Sequence, residues 1–149
     1  MAAFGGIASN PAQALSAATA RTVIQIVAAA NHRVRIKGWG VFFDGVSVTA
    51  EPVVVELVRQ STAGTSDAGT VVKKDDSLAE TLLTAARQNL SVEPTTGDIL
   101  KRREVHPQQG WYEYFQLGDE VICGGGDRIG IRCTAPAVVN ATGEIDFEE

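Results

Sequence analysis

The chain has 149 residues, a formal charge of −5, 44% hydrophobic and 21% charged residues. That is the size of one domain, long enough to bury about 70% of the surface its unfolded form exposes, so a core can form without staples. The acidic balance argues against a nucleic-acid binder, whose contact with phosphates needs a basic footprint. Nothing approaches the length of apolar sequence that spans a bilayer, and no secretory signal is expected at the N-terminus.

Taken in chain order, residues 1–20 (MAAFGGIASNPAQALSAATA) are rich in Ala, Gly and Ser and uncharged. They read as a flexible N-terminal arm that orders on a partner, with Phe4 and Ile7 as its apolar anchors. Residues 21–149 read as the folded domain. Strands are expected at Thr22–Ala28, His32–Phe43, Val53–Gln60, Arg102–Val105, Trp111–Gln116, Val121–Cys123, Arg128–Thr134 and Val138–Glu148, with a weaker one at Gln88–Val92. Asn31, Asp44-Gly45, Thr96-Gly97-Asp98, Pro107 and Gly124–Gly126 punctuate them as turns. About eight antiparallel strands of this kind make a β-sandwich, with a jelly roll as the preferred form.

The alternation is clearest at the C-terminal end. Ile129, Ile131 and Cys133 alternate with Arg128, Gly130 and Arg132, and Ile145 and Phe147 alternate with Glu144, Asp146 and Glu148. A period of two is what a sheet with one buried and one wet face requires. In His32–Phe43 the apolar set Val34, Ile36 and Phe42 opposes Arg33, Arg35 and Lys37, while Gly38 and Gly40 around Trp39 suggest a bulge. Gly124–Gly126 reads as a hairpin turn that would set Cys123 and Cys133 near each other as a buried, reduced pair. Between strands lies one long excursion, Ser61–Arg87, in which Asp76–Ala86 carries a helical period with Leu78, Leu82 and Leu83 inward. A loop of this length is expected to make contacts outside its own domain.

Candidate chemistry is sparse. Gly64-x4-Gly69-Thr70 lacks the lysine of a phosphate-binding loop. Gly124–Gly130 lacks the third glycine of a dinucleotide fingerprint. Asp75, Asp76 and Glu80 are better read as the acidic start of a helix than as a cation site. His32 and His106 have no nucleophile elbow or zinc spacing beside them. No cofactor, metal or catalytic group is therefore expected. The Lys101-Arg102-Arg103 run reads as a charged strand edge. The aromatic run stands out: Tyr112 and Tyr114 share one face of a strand, with Trp111 and Phe115 on the other. Trp and Tyr are enriched at interfaces, so Trp39, Trp111, Tyr112 and Tyr114 are taken as interface candidates beside Phe4 and Ile7.

The segments Lys37–Gly45 (KGWGVFFDG), Thr49–Val53 (TAEPV), Glu104–Gly110 (EVHPQQG), Gly124–Ile131 (GGGDRIGI) and Cys133–Pro136 (CTAP) together resemble small structural proteins of tailed phages and prophages. The resemblance runs from about Thr19 to Glu149. It implies a capsid decoration (cement) protein that binds the major capsid protein lattice, made in the host cytoplasm and located on the virion; a homotrimer is the preferred state, because a symmetric oligomer reuses one patch. The alternative it leaves open is a head-fibre or tail-associated module that binds a receptor or carbohydrate. None of the matching segments is a chemical signature, so the resemblance assigns no site residues.

Overall fold

The computed structural model describes residues 5–44 and 51–149. Thirteen strands form two antiparallel sheets packed face to face, a β-sandwich. Sheet I holds seven strands in the order β10-β4-β13-β1-β7, with β11 beside β10 along β4 and β2 beside β1 along β13. These strands are β1 (Gly5–Ser9), β2 (Gln13–Leu15), β4 (Val34–Phe43), β7 (Thr70–Lys73), β10 (Gly110–Tyr114), β11 (Val121–Cys123) and β13 (Val139–Glu148). Sheet II has the order β6-β8-β3-β12-β5-β9. It comprises β3 (Ala20–Val27), β5 (Val53–Gln60), β6 (Thr65–Ala68), β8 (Ala85–Val92), β9 (Thr96–Val105) and β12 (Arg128–Thr134).

The core lies between the sheets and follows the predicted alternation. Ile129, Ile131 and Cys133 from β12 meet Ile145 and Phe147 from β13, together with Val53, Val55 and Leu57 from β5. Trp39 is fully buried at the centre and meets Trp111 edge-on, ring centroids 4.9 Å apart. Truncating a ring so buried costs about 3–5 kcal/mol. The bulge suggested by Gly38 and Gly40 is present: Gly38 pairs with Asp146 and Ile36 with Phe147, leaving Lys37 without a partner. The extra residue switches the strand's parity. Val34 and Ile36 point inward before it, Trp39, Val41 and Phe43 after it, and Phe42, expected inside, is 44% exposed.

Three expectations are corrected. Residues 5–20 are not an arm: β1 pairs with both β13 and β7, and β2 pairs with β13. Their small side chains serve close approach. A Cβ on Gly6 would lie 2.6 Å from Cζ of Phe147, and Ala8 is fully buried. Asn10 then clamps the neighbouring strand, accepting from the Gly143 N–H at 2.6 Å and donating to the Ala141 carbonyl at 3.2 Å.

The expected helix at Asp76–Ala86 is replaced by irregular chain leading into β8, and no helix occurs among the described residues. Its backbone groups are taken by tertiary partners. Lys73 Nζ donates to the carbonyls of Leu78 (2.6 Å) and Glu80 (3.0 Å), while the Thr84 N–H donates to Glu149 at 2.8 Å. The excursion crosses the domain: β6 joins sheet II, β7 joins sheet I and β8 returns to sheet II.

The Gly124–Gly126 turn is not a hairpin either, because β11 pairs with β4 in sheet I and β12 with β3 and β5 in sheet II. Cys123 and Cys133 are both buried and free, on opposite sheets. Burial pushes the Cys123 thiol up to about 11, so it stays protonated and unreactive at neutral pH. The basic run does sit on an edge strand, β9, where Arg103 and Lys101 lie over the rings of Trp111 and Phe115 at 5.5 Å. Charges on an open sheet edge discourage pairing with another chain.

Deleting residues 1–16 removes β1 from the interior of sheet I and β2 from its place along β13. The melting temperature followed by circular dichroism is expected to fall by roughly 10 °C or more, or folding to fail. A flexible arm would leave it unchanged.

Candidate binding surface

The outer faces of the two sheets differ in kind. On sheet II the outward polar groups are bonded to one another. Glu56, 5% exposed, takes the guanidinium of Arg132 through Nε (2.9 Å) and Nη2 (2.6 Å), and Arg102 lies at 3.4 Å. Beside it Gln25 donates to Gln60 at 2.8 Å, Gln60 donates to Thr22 at 2.7 Å, and Thr22 bonds to Glu93 through both N–H and hydroxyl. This face is a nearly closed polar network.

Sheet I presents an aromatic and ionic face. Strand β10 places Tyr114 opposite Gly38 and Tyr112 opposite Gly40, both outward, while Trp111 and Glu113 turn inward. Glycine is required beneath the tyrosines. A Cβ on Gly38 would lie 2.9 Å from ring atoms of both Tyr112 and Tyr114, and one on Gly40 would lie 2.5 Å from the Trp111 carbonyl oxygen. The two rings tilt against each other with centroids 4.8 Å apart. Tyr112 lies down on the sheet with its hydroxyl buried and without a hydrogen-bond partner. Burial, then the nearby Asp146 carboxylate, push that hydroxyl well above the ordinary tyrosine range. Tyr114 is left 68% exposed, and Leu117 in the following loop is 88% exposed.

Next to Tyr114 is a hollow of about 460 Å³ lined by Gly5, Lys37, Lys74, Phe115, Asp146, Phe147 and Glu148. Two buried carboxylates hold its two lysines, Asp146 from the wall of the hollow and Glu120 from outside it. Asp146, 3% exposed, pairs with Lys74 at the end of β7. Glu120 pairs with Lys37 at 2.8 Å and also accepts from the Gly118 N–H at 2.7 Å. Glu148 lies 3.6 Å from Lys37. The Lys37 hydrogen bond and the backbone N–H groups at Glu120 and Gly118 hold the Glu120 carboxyl down at about 2. The same hydrogen bond raises Lys37 against the opposing effect of burial.

The interface candidates therefore divide. Tyr112 and Tyr114 share this face, with Ile7 three strands away in the same row, opposite Asp146. Trp39 is fully buried in the core, so its ring is closed to an interface, while the partly buried Trp111 packs against it at the sandwich edge. Phe4 lies outside the described residues. The sequence reading missed Lys37, Lys74, Asp146 and Glu148. Only the alternation in β13 hinted at them, by marking Asp146 and Glu148 as outward. Elsewhere, Asp75 accepts from Ser77 N–H (3.0 Å) and hydroxyl (2.5 Å) as a turn cap, and His106 accepts from the Gln108 N–H at 3.2 Å. Among the described residues no three His, Cys, Asp or Glu side chains gather as a metal site. No helix of the described residues is long and apolar enough to cross a membrane.

No family model, curated protein or solved structure matches this chain.

Two outcomes test the surface. Glu120 is ionised more readily in the folded state than in the unfolded one, so its contribution is full above about 4.5 and is lost as pH falls toward about 2. Glu120→Gln should flatten that part of the acid limb of a melting-temperature profile, and an unaltered limb would remove the ion pair from the account. Gly40→Ala should destabilise the fold by about 1–3 kcal/mol in urea titrations, because its methyl displaces Tyr112 and the β10 backbone. A neutral result would mean that the cradle is loose.

Proposed function

We propose that this chain is a non-enzymatic structural protein of a tailed-phage virion, a decoration (cement) protein that binds and stabilises the major capsid lattice as a homotrimer. The observation that carries this reading is the wiring of the sandwich. Counting β1 with β2 and β10 with β11 as single lanes, sheet I runs β1/β2, β13, β4, β10/β11 and sheet II runs β3, β12, β5, β9. In chain order the lanes pass between the sheets as I, II, I, II, then II, I, II, I, with β6–β8 inserted at the midpoint. Eight lanes connected in this way support the reading of the sandwich as a jelly roll, an architecture used by viral capsid proteins and by lectins.

Fold alone names no partner; the resemblance of the GWG, HPQQG and GGGDRIGI segments to phage structural proteins supplies it. In the folded chain those three segments lie on β4, in the β9–β10 turn and in the β11–β12 crossing. Each is a point where the roll needs small residues or a tight reversal, so the resemblance and the wiring reinforce each other. A trimer is the proposed state because a self-complementary module meeting a three-fold site reuses one surface three times.

The test pairs solution mass with capsid uptake. Light scattering on a sizing column should give three 15.7 kDa chains, about 47 kDa. The purified protein, added to undecorated capsids of the phage that encodes it, should occupy the lattice at uniform sites and raise the temperature of capsid disruption. A monomer that leaves capsids bare and no more stable would overturn the reading.

A further inference from the structure

The hollow beside Tyr114 is charged around its rim, yet its charges are already matched. Lys74 is held by Asp146, and Lys37 by Glu120 and Glu148. An anionic ligand would have to draw a lysine away from its carboxylate, and a cation would have to take a carboxylate from its lysine. Either exchange breaks a part-buried pair, and Asp146 and Glu120 have side chains only 4% and 5% exposed. A buried carboxylate deprived of its cation is strongly unfavourable.

A neutral polyol needs no exchange. An ammonium has three donors and a carboxylate about four acceptor positions, so groups that are paired once still have capacity toward the hollow. Hydroxyl groups, which donate and accept at the same time, match such a mixed rim. The exposed members are Lys37, Lys74 and Glu148, with 29%, 41% and 31% of their side chains accessible. Asp146 and Glu120 hold the lysines from below, so their ordering is settled before any ligand arrives.

The remaining wall is aromatic. Tyr114 offers a ring face, and its contact with Tyr112, itself seated on Gly38 and Gly40, fixes that ring in place. A flat, partly apolar ring face beside fixed hydrogen-bonding groups suits a molecule with an apolar face and a polar edge. The volume of about 460 Å³ falls within the range of small-ligand sites, roughly 300–1,000 Å³.

We propose that this hollow is a binding site for a neutral saccharide, with one pyranose ring laid on Tyr114 and its hydroxyls bonded to Lys37, Lys74 and Glu148. The site is independent of the virion reading: a decoration protein with or without sugar binding, and a sugar-binding protein that ignores capsids, are separable outcomes.

The full chain, labelled with nitrogen-15, is titrated with neutral methyl glycosides of glucose, galactose, mannose and N-acetylglucosamine and is run on an array of neutral oligosaccharides. Saturable shifts of the Lys37, Lys74, Tyr114 and Glu148 amides are expected with at least one glycoside or array-selected oligosaccharide. Tyr114→Ala should weaken that binding about tenfold or more while the melting temperature holds, since the ring is exposed. Glu148→Gln, at an exposed rim carboxylate, provides a second variant and should weaken the same binding without lowering the melting temperature. Absence of saturable binding across both panels overturns the proposal. So does inorganic phosphate shifting the same amides more strongly than any glycoside, which would make the hollow an anion site. A loss of oligomer mass in Tyr114→Ala, with no glycoside bound by either protein, would assign the face to contact between copies and overturn it equally.

Discussion

The structure depends on the position of its last strand. β13 lies in the middle of sheet I, paired along one side with β4 and along the other with β1 and β2. Gly5 stands opposite Glu148, so the sheet joins the two ends of the described chain. One face of β13 sends Ile145 and Phe147 into the core, and the other carries Asp146 and Glu148 to the candidate site. Glu149, the residue after it, accepts from the N–H groups of Leu83 (2.7 Å) and Thr84 (2.8 Å) and so holds the excursion. Until that strand is in place, sheet I has neither a centre nor a site. Pairings this distant in sequence make folding slow, because closure entropy is spent before the contacts repay it.

That arrangement explains why the excursion matters to the site. It leaves sheet II, adds β7 to the open edge of β1, and delivers Lys74 opposite Asp146 before returning. A carboxylate on the outer face of a central strand would otherwise be an unpaired buried charge. Sheet II solves the same problem within itself, where Arg132 and Arg102 flank Glu56. The sheet II network uses its hydrogen-bonding capacity internally, whereas sheet I leaves lysine donors and a tyrosine ring facing out.

The sequence made the sandwich legible because its inward sets are long and regular: Ile129, Ile131 and Cys133, or Ile145 and Phe147. It did not disclose which strands share a sheet. Alternation around Gly124–Gly126 is the same for a hairpin as for a crossing between sheets, so Cys123 and Cys133 seemed neighbours and are on opposite layers. Composition misled at both remaining places. Small residues in 5–20 suggested mobility, yet Gly6 and Ala8 are small because β13 lies close. The leucine spacing in Asp76–Ala86 suggested a helix, yet Lys73 and Glu149 bond to groups a helix would pair internally, and Leu82 is drawn against the core. The tyrosine pair was visible as a same-face pair. Its ionic neighbours were not, because Lys37, Lys74 and Asp146 come from three strands joined only by tertiary pairing.

The bulge at Lys37 ties core and surface together. With a regular β4, keeping Val34 and Ile36 inside would turn Trp39 and Val41 outward. One unpaired residue reverses the parity, so the core gains Trp39, Val41 and Phe43. It also sets Lys37 and Gly38 next to each other on the outer side, one supplying the cation and the other the space for the tyrosines. A side-chain period of two cannot place two adjacent residues on one face without such an insertion. The residue that lets the largest core side chain turn inward is thus the same one that builds the rim of the hollow. A change that removed the bulge would cost the core and the site together.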